Sequence, residues 1–129
     1  MKIGKLAKMT NCAIQTIRFY EKESLISSKA RSEGNYRIYD QTAVERLLFI
    51  KHCRQLDLSL SDIKQLLQLK DSPRANCDDV NQMIARHLDK VHQRIAELDA
   101  LRLQLETLQT ACSTGRAVEQ CGILKNLAT

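Results

Sequence analysis

Along this 129-residue chain the period of the apolar positions changes several times, and each change marks an element. Ile3, Leu6 and Ala7 recur at helical spacing, and Ile14, Ile17 and Tyr20 begin a second helical set. Thr10 or Asn11 is placed to end the first helix and cap the second. Two short helices joined by a polar turn are the sequence form of a helix-turn-helix. The second helix leaves Gln15, Thr16, Arg18 and Phe19 or Tyr20 on its other faces. The period then falls to two. Tyr36 and Ile38 alternate with Arg37 and Tyr39 after the turn residues Glu33, Gly34 and Asn35, which predicts a short wing flanked by Arg31 and Arg37. Helical spacing returns with Val44, Leu47, Leu48, Phe49 and Ile50 behind Asp40 as a cap. A fourth helix follows Ser59 or Ser61, with Ile63, Leu66 and Leu67 inward and Asp62 in its first turn, where negative charge is favoured. These elements predict a winged helix-turn-helix domain over residues 1–70.

DSPRAN, residues 71–76, interrupts the pattern and contains the only proline. No Gly or Pro then interrupts residues 77–111. Val80, Ile84, His87, Val91, Arg94, Leu98, Leu101, Leu105 and Leu108 recur there mainly at threes and fours, and Leu88 and Ile95 broaden the stripe. A helix this long cannot bury one stripe against itself, and the simplest partner is a second copy. The expected fold is therefore mainly α. Its parts are the winged helix-turn-helix domain at 1–70, a linker at 71–76, a dimerisation helix at 77–111 in an antiparallel coiled-coil homodimer, and a loop with a short helix at 112–129.

Composition supports this reading. Four Gly and one Pro favour helix, and 4% aromatic residues without Trp argue against a large aromatic core. The N-terminal MKIGKLAKMTNC has no continuous apolar run of a signal peptide, and no stretch reaches the roughly 18 apolar residues of a membrane helix. A cytoplasmic protein without a membrane partner is the expectation. Charge is uneven: residues 1–54 hold eleven Lys/Arg against five Asp/Glu, and residues 55–129 hold nine against ten. A basic first half beside a nearly neutral second half points toward a polyanion such as nucleic acid, although solvation alone produces similar bias.

Five cysteines, at 12, 53, 77, 112 and 121, fit a disulfide framework badly in number and spacing. Cys77 and Cys112 bracket the long helical segment and lie 35 residues apart, five heptads. A helix of that length separates them by about 52 Å, so they cannot share a ligand within one chain. In an antiparallel pair Cys77 of one chain lies beside Cys112 of the other, and Cys121 can return through a loop containing Gly115. This predicts two equivalent three-thiolate sites across the dimer, suited to soft or borderline metals. The alternative is that Cys77 and Cys112 pack as small apolar residues and Cys121 anchors the tail. Cys12 in the turn and Cys53 on a core helix are read as ordinary thiols. His52, His87 and His92 have no ligand spacing with them.

IGKLAKMTNCAIQTIRFYEKESLI, RSEGNYRIYD and VERLLFIKHCRQLDLSLSDIKQLLQL together resemble the MerR family of metal-responsive transcription regulators, over nearly the whole chain. TIRFYE (residues 16–21) with GNYR.Y (residues 34–39) is the most specific part. The resemblance implies a dimer on double-stranded, palindromic promoter DNA with an overlong spacer. Effector binding would bend and untwist that DNA so that RNA polymerase can use it, readout by deformation as much as by base contact. It assigns DNA contact to Thr16, Arg18 and Tyr20 of the second helix and Asn35, Tyr36 and Arg37 of the wing, with Arg31 nearby and Gln15 as a base-reading candidate. It also narrows the effector. Relatives sensing copper(I) lack a cysteine at the position of Cys77, and relatives sensing zinc carry a further cysteine where Ser113 stands. The ANCDDVN and CGILKNL stretches look most like the cadmium- and lead-responsive subgroup. The expected effector is thus Cd(II) or Pb(II) on Cys77 of the other subunit, Cys112 and Cys121. Mercury(II) is the first alternative and zinc a weaker one.

Two other classes remain for comparison. A thiolate metal-buffering protein would use the cysteines but leave TIRFYE and the basic wing without a role. A thiol enzyme would need a base near a cysteine or a CxxC motif, and neither is present.

Overall fold

The computed structural model describes residues 1–129, which divide into two compact units, residues 1–80 and 81–129. The first unit contains helices α1 (Ile3–Thr10) and α2 (Ile14–Lys22), and the strands β1 (Ala30–Arg31) and β2 (Arg37–Ile38). Helices α3 (Gln41–Gln55) and α4 (Leu60–Lys70) complete its core. Helix α1 packs on both α2 and α3.

Thr10 and Asn11 do end α1, but neither caps α2. The Thr10 hydroxyl, buried, donates back to the Leu6 carbonyl at 2.8 Å, and Asn11 closes the helix with φ 52°. Asparagine tolerates this left-handed position, and the Cys12 N–H then bonds to the Ala7 carbonyl. Helix α2 starts after Ala13 with no side-chain cap. The other two predicted caps form: Asp40 accepts from the Ala43 N–H and Ser59 from the Asp62 N–H. The wing is an antiparallel pair with Ala30 opposite Ile38 and Arg31 opposite Arg37.

Leu6, Ile17, Leu25, Val44, Leu47, Ile50, Leu58, Ile63 and Leu67 form the buried core with Tyr39. Phe49 is only partly buried, under the Lys70 ammonium at 4.8 Å from its ring centre. Cys53 is buried, and burial raises its thiol pKa, which fits an inert packing residue.

Helix α5 runs Asp78–Gln109, a little shorter than the periodic segment. At its start the Asn76 side chain takes the Asp78 N–H at 2.9 Å, which leaves Cys77 outside the first turn. At its end the Ala111 N–H bonds to the Leu108 carbonyl, a tightened turn that stops the helix before Cys112. Both cysteines therefore flank the helix and do not lie on it. A single 3-10 turn, Val118–Gln120, and a short helix α6, Gly122–Leu127, complete the chain. No helix is long and apolar enough to cross a membrane.

Leu47 is fully buried, so Leu47→Ala is expected to destabilise the first unit by about 2–5 kcal/mol. Urea unfolding followed by circular dichroism checks this; a loss under about 1 kcal/mol would mean that the core collapses around the site.

Candidate nucleic-acid interface and metal centre

Helix α2 and the wing border a cleft of about 560 Å³ that also takes in the start of α1. Five cationic side chains line it, Lys2, Lys5, Arg18, Arg31 and Arg37, together with Ile14, Asn35, Tyr36 and Tyr39, and no carboxylate does. Gathering like charges in a concave surface costs self-repulsion that a polyanion relieves. Arg18, Arg31, Asn35, Tyr36 and Arg37 thus meet at one place. Gln15 is exposed, Thr16 and Tyr20 are half-buried, and none of these three lines the cleft.

Local bonds set the wing's shape. Asn35 takes φ 63°, its side-chain and backbone oxygens accept from Arg31, and the Tyr36 N–H bonds to the Ser32 hydroxyl. The Lys2 ammonium stands 4.4 Å from the centre of the Tyr36 ring, a cation–π contact that ties the chain start to the wing tip. The backbones of Met1 and Tyr39 bond in both directions, at 2.6 and 2.7 Å.

One residue unread in the sequence organises this end. Glu21 of α2 accepts from the Arg37 guanidinium at 3.1 Å and from the Tyr39 phenol at 2.8 Å. Burial, then the Glu21 hydrogen bond, pushes the Tyr39 pKa up to about 12. The phenol therefore remains a donor at neutral pH. Because its folded value exceeds the unfolded one near 10, the stability it adds is present below pH 10 and fades as pH rises toward 12. Glu21 belongs to the TIRFYE stretch, and its separation of sixteen residues from Arg37 hid the pairing. Lys2 and Lys5 were legible only as part of the basic first half.

In the second unit the backbone of Gly122 lies against that of Ala111, so the adjoining Cys121 and Cys112 stand at one place in the fold. Both are half-buried. Cys121 immediately precedes α6, and the Leu124 N–H, the leading influence, lowers the pKa of its thiol. Desolvation opposes this, while the Cys112 thiol, the Ile123 N–H and the Arg116 guanidinium reinforce it. In the hydrogen bonding of the fold, the Cys112 thiol donates to the Ser113 carbonyl at 3.4 Å. Two soft donors, one biased toward thiolate, fit a thiophilic metal. No group of three or more His, Cys, Asp or Glu side chains within the single chain is arranged to hold one. Cys77 lies in the first unit and is exposed.

Two outcomes follow. Lys5→Ala is expected to weaken binding to any duplex DNA and to reduce the slope of log affinity against log salt by about 0.9; an unchanged slope removes Lys5 from the interface. Alkylation of Cys121 by iodoacetamide, followed by peptide mass spectrometry, is expected to reach half its maximal rate at a lower pH than an unstructured cysteine peptide does. A profile matching that peptide would refute the bonds to Sγ.

Comparison with known proteins identifies the family. Residues 1–70 match the MerR HTH family regulatory protein domain and residues 44–108 the MerR DNA-binding domain. The chain is 43% identical over 109 residues to a protein of Haemophilus influenzae named HTH-type transcriptional regulator ZntR homolog, covering 84% of this chain and 81% of that protein. It is 38% identical over 128 residues to the HTH-type transcriptional regulator ZntR of Escherichia coli K12, covering 98% and 91%. Among solved structures it is similar to the transcription regulator PbrR691 from Ralstonia metallidurans CH34 in complex with lead(II), with a TM-score of 0.92, 45% identity and 98% of both chains covered. The chain belongs to the MerR family of helix-turn-helix regulatory proteins, DNA-binding transcriptional regulators and not enzymes.

Proposed function

We propose that this protein is a homodimeric, heavy-metal-responsive transcriptional regulator that takes Cd(II) or Pb(II) on Cys112 and Cys121 of one subunit and Cys77 of the other. The observation that carries this reading is the close approach of Ala111 and Gly122, which sets Cys112 and Cys121 at one place where no third donor joins them in the chain. The means of completing the set is α5. Ile84, Leu88, Val91, Ile95 and Leu98 follow a four-three spacing along it, Leu105 lies a further heptad on, and each is 39–57% exposed. Such a stripe is the seam of a coiled coil awaiting its partner, and burying it supplies the association energy. Leu101 adds to it, and Arg94, Asp99 and Arg102 make exposed ion pairs along the same helix. Those surface pairs contribute little to stability.

An antiparallel arrangement brings the start of one α5 to the end of the other. Metal bound there would stabilise one disposition of the two chains, and the five-cation clefts would transmit it to promoter DNA and so to RNA polymerase. Residues at the site support Cd(II) or Pb(II) over zinc, since Ser113 adds no thiol beside Cys112 and tetrahedral zinc would be short of protein donors. The 45% identity to the lead-bound regulator points the same way. The 43% identity to a regulator named for ZntR keeps zinc as the second reading, and mercury(II) suits the same three sulfurs. A metal-buffering role leaves the cationic cleft unused.

Cys77→Ser, Cys112→Ser and Cys121→Ser are each expected to abolish induction of a promoter reporter by cadmium or lead while promoter affinity stays within about threefold, since none of the three lines the cationic cleft. Full induction in all three variants would refute the site. In the unaltered protein, a reporter response to zinc alone, among cadmium, lead, mercury, zinc and copper, would replace the Cd/Pb assignment with the zinc one.

A further inference from the structure

Gly122 directly follows Cys121 and is the first residue of α6. A β-carbon built on it would collide with the carbonyl oxygen of Ala111 and would stand 3.0 Å from the carbonyl carbon. Those atoms are backbone, so they cannot swing aside as the end of a long side chain can. Gly115 is the only glycine with positive φ, at 86°, so the backbone at Gly122 suits any residue. In an exposed helix alanine would even be preferred. What excludes it is space.

The position of the contact matters. Ala111 adjoins Cys112 as Gly122 adjoins Cys121, so the close approach lies against both halves of the thiol pair. From Ala111 to the C-terminus, the partly buried residues are Ala111, Cys112, Cys121, Gly122 and Ile123, while the loop from Ser113 to Gln120 between them is exposed. The loop is thus closed at its base, where the two backbones touch. We propose that Gly122 is a positioning residue of the metal centre: its missing side chain lets the start of α6 seat on the turn that follows α5 and brings the two sulfurs together. This rests on the reading of Cys112 and Cys121 as metal ligands. Any β-carbon at 122 lifts α6 from that seat and separates the donors, although every cysteine remains.

The test uses the full-length protein with Gly122→Ala, beside Cys121→Ser and Glu119→Ala, an exposed loop substitution. Cadmium(II) chloride titration is followed by the ultraviolet sulfur-to-metal charge-transfer band. Gly122→Ala is expected to bind about tenfold to a hundredfold more weakly, the range for overpacking a tight contact. Glu119→Ala should match the unaltered protein, and Cys121→Ser should lose most of the band. A second reading needs no metal. Diamide oxidises two thiols to a disulfide, taking two electrons and two protons to become its hydrazine, and joins tryptic peptides 103–116 and 117–125. Gly122→Ala should slow that linkage about tenfold, with helix content unchanged by circular dichroism. Unchanged cadmium affinity in Gly122→Ala overturns the proposal. Absence of a charge-transfer band in the unaltered protein overturns the ligand assignment and the proposal with it, and slowed diamide linkage in Gly122→Ala would then show that the contact itself was correctly identified.

Discussion

A 32-residue helix with apolar side chains along one face can neither bury that face against itself nor bring its two ends together. Both halves of the constraint act on α5. Its uncovered stripe, each of whose main residues is at least 39% exposed, calls for a partner helix. Its length of about 48 Å keeps the cysteine before it away from the two cysteines after it. A second copy running the other way would resolve both at once. The same stiffness that leaves the thiol set incomplete in one chain would make its completion report on how two chains sit together.

The other end of the molecule is governed by charge. Five cations with no lining carboxylate form a surface that is costly without a polyanion, and Glu21 acts from its edge. By accepting from both Arg37 and Tyr39, Glu21 fixes the wing to helix α2. The pair joins an arginine whose side chain is 46% exposed to a carboxylate whose side chain is only 13% exposed. Its effect is to hold one guanidinium in place and so reduce the ordering needed when a phosphate arrives.

Much of the fold was legible because local rules and long-range packing agree. Asp40 and Ser59 cap where their side chains can reach the first-turn amides, and Val44, Leu47, Ile50, Ile63 and Leu67 are buried at the spacing that announced them. Local signals failed where two structures compete for one residue. Thr10 bonds back into α1 and is unavailable to α2. Asn76 captures the Asp78 amide and shortens α5 by one residue at its start. At the sites, residue types announced the cysteines and the basic wing. Glu21 and Gly122 were silent, because their roles come from neighbours distant in sequence: a carboxylate reaching a strand, and an absent side chain admitting a carbonyl.

The account's central claim is that each metal centre draws ligands from both subunits, and a mixed dimer tests it most directly. One subunit carries Cys77→Ser, and its partner carries Cys112→Ser with Cys121→Ser. If the site is shared, the mixed dimer keeps one complete set, and purified material titrated with cadmium should bind one ion per dimer with three-sulfur charge-transfer intensity. Each altered homodimer should show none of that three-sulfur signal. A mixed dimer that likewise lacks it would contradict the shared site, since ligands confined to one chain are broken in both subunits.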